Sequence, residues 1–119
     1  MPAMLLALLL SGCASDKTPA TADVAVSQAA VAAATSAGAA TVAPDEMQAA
    51  RDKLTRANKA LADHDYRTAT DWANQAAADA QLAQSKANSA KAATAAEELQ
   101  KSIQALREEL ARSPTTNKQ

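Results

Sequence analysis

Alanine dominates the apolar content of this chain, and that limits how thick a core it can build. Of the 57 hydrophobic residues among 119, 35 are Ala, and seven more are the Met and Leu of residues 1–10. Apart from Cys13, only 14 larger apolar side chains serve the remainder. Burial contributes about 25 cal/mol per Å², and an Ala methyl covers little area, so a thick globular core is excluded. From Cys13 onward five residues are Val or Ile and two are aromatic, which argues against a sheet. Ala mixed with Gln, Lys, Glu, Leu and Arg favours long, thin helices. The expected fold is all-α: an elongated three-helix antiparallel bundle or coiled coil with one long C-terminal helix. With a net charge of −1 and basic residues interspersed among acidic ones, the chain has no electrostatic footprint for nucleic acid.

Residues 1–12, MPAMLLALLLSG, carry no charge and lead directly into Cys13. The apolar stretch from Ala3 to Leu10 is far shorter than the roughly 20 residues of a membrane-spanning helix, but it has the length of a signal-peptide core. Leu10, Ser11, Gly12 and Cys13 together resemble a bacterial lipoprotein lipobox, in which the Cys thiol receives a diacylglycerol and the chain is cleaved before it. Residues 1–12 then form the signal peptide, and residues 13–22, with Pro19, a lipidated Cys and flexible tether. One departure is the lack of Lys or Arg before the apolar core, which is expected either if the true start lies upstream of Met1, the favoured reading, or if export is inefficient. A single Cys forms no internal disulfide, so lipidation is its expected role. Ala14 lacks the Asp that commonly retains such lipoproteins at the inner membrane, so the resemblance implies an outer-membrane, periplasm-facing anchor.

The helical domain is expected over residues 23–112. A first, weak helix over 23–37 carries Val24, Val26 and Val31 and ends at Gly38, a residue suited to the left-handed position past a helix end. A second, over 44–62, starts at Pro44, places Asp45 and Glu46 at the positive end of the helix dipole, and shows a heptad stripe of Met47, Ala50, Leu54, Ala57 and Leu61. Asp63-His64-Asp65 interrupts it, and Asp65 can cap the third helix, 65–112. That helix has one stripe of Ala69, Ala73, Ala76, Ala80, Ala83, Ala87 and Ala90. A second runs through Ala78, Leu82, Ser85, Ser89, Ala92 and Ala96 into Leu99, Ile103, Leu106 and Leu110. At 1.5 Å per residue the third helix is about 70 Å long against about 27 Å for the second. Its Leu99–Leu110 stripe is therefore expected to stay uncovered and to mark an interaction surface. Residues 113–119, SPTTNKQ, are expected to be disordered.

The runs AGAATVAPDEMQAARDKLTRANKAL, DHDYRTATDWANQAAADAQLAQSKANSAKA and AAEELQKSIQALREEL, spread over residues 23–112, resemble a family of proteobacterial envelope lipoproteins, domain of unknown function 4398. The resemblance implies an all-helical periplasmic lipoprotein with no assigned activity and no catalytic residues to carry over. Some relatives occur alongside OmpA-like, peptidoglycan-binding proteins, which implies the cell wall as a neighbourhood.

The residues with chemical potential do not assemble into a reactive set. His64 lies between two carboxylates in a short turn, where adjacent residues rarely converge on one metal ion. Tyr66 and Trp72, six apart on a helix, point about 120° from each other and are expected to fill gaps in an Ala-rich interface. Glu97, Glu98, Glu108 and Glu109 read as a solvated face. No nucleophile, base and orienting group can be combined from one His and one lipidated Cys, so no catalysis, metal or cofactor is expected. The expected function is a lipid-anchored structural or adaptor protein that binds an OmpA-like envelope protein, peptidoglycan or a copy of itself. The alternatives are a ligand-binding module around Trp72 and a peptidoglycan-linked stalk. The stalk is disfavoured because the chain ends Lys118-Gln119, whereas the major outer-membrane lipoprotein, which the stalk would resemble, ends in its linking Lys.

Overall fold

The computed structural model describes residues 16–113. Cys13, Leu10, Ser11 and Gly12, and residues 114–119 of the expected tail, lie outside them. Among the described residues the chain is all-helical, with four helices where three were expected: α1 (Lys17–Ser36), α2 (Ala39–Val42), α3 (Pro44–Ala62) and α4 (Tyr66–Arg112).

The first helix begins six residues earlier than its sequence pattern indicates, so residues 17–22 of the expected tether are helical. Pro19 does not break α1 because it sits in the first turn, where the missing N–H has no intrahelical partner to lose. The early start also places Ala20 in a fully buried position against Ala60 and Ala69. Ser27 is buried as well, with its hydroxyl donating to the Val24 carbonyl at 2.8 Å. The extra helix, α2, is a single turn with no room for a periodic signal.

Local chemistry sets each helix end. Gly38 closes α1 at φ 80°, with its N–H donating to the Thr35 carbonyl at 3.0 Å. Pro44 opens α3 at its first position, with Asp45 and Glu46 in the first turn. At the other end His64 takes a left-handed φ of 61°. Its N–H donates to Leu61 O at 3.2 Å and that of Asp65 to Ala60 O at 2.9 Å. This paired closure satisfies carbonyls left open by the helix end. Asp65 then caps α4, its carboxylate accepting the Thr68 N–H at 3.2 Å. Both ends of a three-residue connection are thereby fixed, and α4 turns back along α3.

The core is a thin line of small side chains. Ala69, Ala73, Ala76, Ala80, Ala83 and Ala87 of α4 are each 0% exposed. One layer joins Ala20, Ala60 and Ala69, and the next joins Val24, Ala57 and Ala73. A larger cluster places Ala34, Met47 and Ala50 with Ala80, Ala83 and Ala87. Residue numbers rise together on α1 and α4 and fall on α3, so α1 and α4 run parallel and α3 runs against both. On α3, Met47, Ala50, Ala57 and Ala60 are buried, while Leu54 and Leu61 are only half-buried.

Ala-rich stripes repeat every heptad and leave the register of two helices weakly specified. Charges supply what the methyls lack. Lys53 Nζ donates to Asp79 Oδ2 at 2.7 Å, both side chains being about three-quarters buried, and Lys86 pairs with Glu46. The two pairs are seven residues apart on each helix, in opposite directions, as a single antiparallel register of α3 and α4 requires. The Lys86 hydrogen bond, aided by a backbone bond at Glu46, holds the Glu46 carboxyl below its usual range. A depressed carboxylate pKa adds stability above the unfolded value and loses it as pH falls through the folded value. The melting midpoint is therefore expected to drop on acidification below the usual carboxylate range, about pH 4. Glu46→Gln should reduce that dependence. Thermal melts of both proteins across pH 7 to 3 check this, and superimposable pH profiles would assign the acid sensitivity to other groups.

Candidate interaction surface

Beyond the packed region α4 continues alone. From Lys91 to Ser113 every residue is exposed. Ala37, Gly38 and Val42 still share a shallow groove with Lys91, Thr94, Ala95 and Glu98, and from Leu99 to Arg112 the helix projects about 20 Å past the others. Because α1 is parallel to α4, this arm extends away from the end where α1 starts. The whole of α4 spans about 70 Å.

The arm carries the apolar stripe that the sequence picks out. Leu99 is 63% exposed, Ile103 41%, Leu106 64% and Leu110 74%. All four lie on one face, and no helix among the described residues covers them. A shallow groove runs beside them, lined by Ala96, Leu99, Gln100, Ile103, Gln104 and Arg107. Arg112 lies 3.7 Å from Glu108 and 3.8 Å from Glu109 at the arm's end. These exposed pairs add little stability but hold the charges beside the stripe on the arm itself.

The same stripe continues back along the packed half of α4. Leu82, 50% exposed, belongs to it, as do Ala78, Ser85 and Ser89, all exposed. Each lies two residues, about 200° of helix, from a buried Ala of the core seam. α4 therefore has a back face buried by α1 and α3 and a front face open along its length.

The aromatic residues have a different setting. Trp72 is half-buried against Val24, Ala57 and Ala73, and the Arg56 guanidinium lies over its ring at 4.9 Å. This contact is worth roughly 0.5–1 kcal/mol at a partly exposed site and occupies the face that an apolar ligand would stack on. Tyr66 packs with Leu61 on the turn-proximal cluster, and its hydroxyl lies 2.9 Å from His64 Nδ1. His64, the sole imidazole, thus braces the turn. Among the described residues no three His, Cys, Asp or Glu side chains gather as a metal site would require. No helix among them is long and apolar enough to cross a membrane.

Sequence reasoning missed the cross-helix partners Lys53–Asp79 and Glu46–Lys86 and the Arg56–Trp72 stack, since only residues three or four apart are visibly neighbours in a helical sequence. Opposite charges one heptad apart on the two helices were the available signal.

A family described as a domain of unknown function, DUF4398, matches residues 22–99. The chain belongs to the DUF4398 family. The match takes in most of α1, all of α2 and α3, and α4 as far as Leu99, stopping short of the 112 that the sequence resemblance reached. The DUF4398 region therefore comprises the packed helices and the base of the arm, while Ile103, Leu106 and Leu110 extend beyond it. Searches of curated proteins and of solved structures found no match.

Proposed function

We propose that this DUF4398 protein is a non-enzymatic, lipid-anchored structural or adaptor protein of the bacterial envelope. Cys13 holds it to the periplasmic face of the outer membrane, and the α4 arm is its interaction surface. The observation that carries the reading is the arm: a helix about 20 Å beyond its supports, with four large apolar side chains in line and exposed. A stripe of that kind on a thin protein marks association. The parallel course of α1 and α4 adds to it, because an anchor ahead of α1 directs the arm away from the membrane.

The lipobox Leu10-Ser11-Gly12-Cys13 supports the anchor from the sequence. Two or more acyl chains hold a protein firmly at a bilayer, whereas one holds it marginally. Replacing Cys13 by Ser removes the atom that receives the lipid. The expected result is loss of labelled fatty acid from the protein and accumulation of a precursor longer by the signal peptide. Undiminished labelling of Cys13→Ser would sink the anchor.

A further inference from the structure

We infer that the arm's occupant is a second copy of this chain, joined as a parallel, in-register α4–α4 pair along the whole open face. The inference rests on the proposed function for the role of the arm, and it names the partner.

Three observations point to a copy. The first is continuity. Among the described residues, five of the seven large apolar side chains that stand exposed, Leu82, Leu99, Ile103, Leu106 and Leu110, fall on one uninterrupted heptad line of α4. Ile103 takes the position for which two-stranded parallel coils favour β-branched residues, and Leu99 and Leu106 take the position at which they favour Leu. A partner docking on the arm alone leaves Leu82 unexplained. An antiparallel copy that sets Leu99 against Leu110 also leaves Leu82 bare, because its counterpart would fall beyond Arg112, where α4 ends. One that sets Leu82 against Leu106 faces Leu99 and Ile103 with Ser89 and Ser85, so only one kind of layer joins two large side chains. In the parallel register Leu82 meets Leu82, and the small residues Ser85, Ser89, Ala92 and Ala96 meet their own copies in the layers between.

The second is access. The stripe lies about 200° from the buried Ala seam, so α1 and α3 of each copy sit on the outer sides of a central α4 pair. Both copies then start at the same end, as two chains anchored in one membrane must. The third is charge. On the arm, Lys91, Glu97, Glu98, Lys101, Glu108 and Arg112 lie off the seam. Of the two charged residues on its flanks, Arg107 faces Ser102 of the other copy and Glu109 faces the end of α4. No like charges oppose each other across the arm.

The seam from Ala78 to Leu110 is about 50 Å long and one helix wide, burying on the order of 1,000–1,200 Å² in total. That is the low end for a specific interface, so the pair should dissociate on dilution and form readily where a shared membrane raises the effective concentration.

Disulfide trapping of the full-length protein in membranes tests this. Leu82→Cys and Leu110→Cys are made separately, with the parent, whose only Cys is Cys13, as background and Ala105→Cys, off the seam, as control. A disulfide needs Cα atoms within about 7 Å. The expected result is an oxidation-dependent species of twice the chain mass for both stripe variants and none for Ala105→Cys. Trapping only between Leu99→Cys and Leu110→Cys chains, or only between Leu82→Cys and Leu106→Cys chains, would overturn the parallel pair in favour of an antiparallel one. Adducts solely with other proteins would overturn the second copy while leaving the arm as an interaction surface. Absence of any adduct at the stripe would overturn both the pair and the arm's role. Labelling of Cys13 reads the anchor independently in each case.

Discussion

Changing Leu99, Ile103, Leu106 and Leu110 together to Gln should abolish association while leaving the fold intact. All four lie past the last residue that α1, α2 or α3 covers, so the buried seam does not sense the change. Helicity should fall only slightly, for two reasons. Gln has nearly the helix propensity of Leu, and the arm grows from a helix already formed, so it bears no nucleation cost. Burying one such side chain contributes about 1.5–3 kcal/mol. Losing four per chain should therefore weaken binding by well over hundredfold, even when the packing is imperfect. Sedimentation across a concentration series and circular-dichroism melts read the two effects separately. An unchanged melt with lost association supports the arm. Unchanged association would move the interaction to another face, and a collapsed melt would mean that the arm contributes to the folded core.

Much of this architecture was legible in the sequence because helix signals are local. Pro44 and Asp65 fixed two starts by their own backbone and side-chain chemistry, and Gly38 fixed an end by its positive φ. The Ala69–Ala87 seam was readable because its spacing alternates four and three without a break. The start of α1 was misread because Pro19 has opposite meanings inside a helix and in its first turn, and sequence alone does not say which turn it occupies. His64 showed a turn but not its left-handed backbone, which the closure of α3 demands. Leu54 was expected at the centre of the α3 stripe and proves half-buried, whereas Met47 is 1% exposed. In an Ala-lined interface the exact rotation of a helix decides which large side chain goes inside, and heptad spacing tolerates either. The open face of α4 was visible as a stripe. That α1 and α3 cover the Ala seam and leave this stripe open from Ala78 onward became clear only from the packing.

Ala80→Leu should be the most damaging single apolar substitution in the packed half, and Ala92→Leu, twelve residues along the same helix, should be harmless. Ala80 is 0% exposed, enclosed by a cluster that includes Ala34, Met47, Ala50, Ala83 and Ala87. Helices held apart only by methyl groups have no slack, so three added carbons must push α1 or α3 off α4. Overpacking of a tight core typically costs about 1–3 kcal/mol. A seam in which most neighbours are also Ala has few larger side chains to rearrange, Met47 and Val31 among them, which places the cost at the top of that range. Displacing α3 would also strain the Lys53–Asp79 and Glu46–Lys86 pairs that set its register. For a thin domain near the low end of ordinary stability, about 5 kcal/mol, the melting midpoint should fall by well over ten degrees. Ala92 sits on the open face with every neighbour exposed, and Leu there matches the propensity of Ala within a few tenths of a kcal/mol. Its midpoint should match the parent, and its self-association should strengthen because it adds a large layer to the stripe. Equal midpoints for Ala80→Leu and Ala92→Leu would show that the Ala seam yields freely, and the close packing assigned to this helix would have to be abandoned.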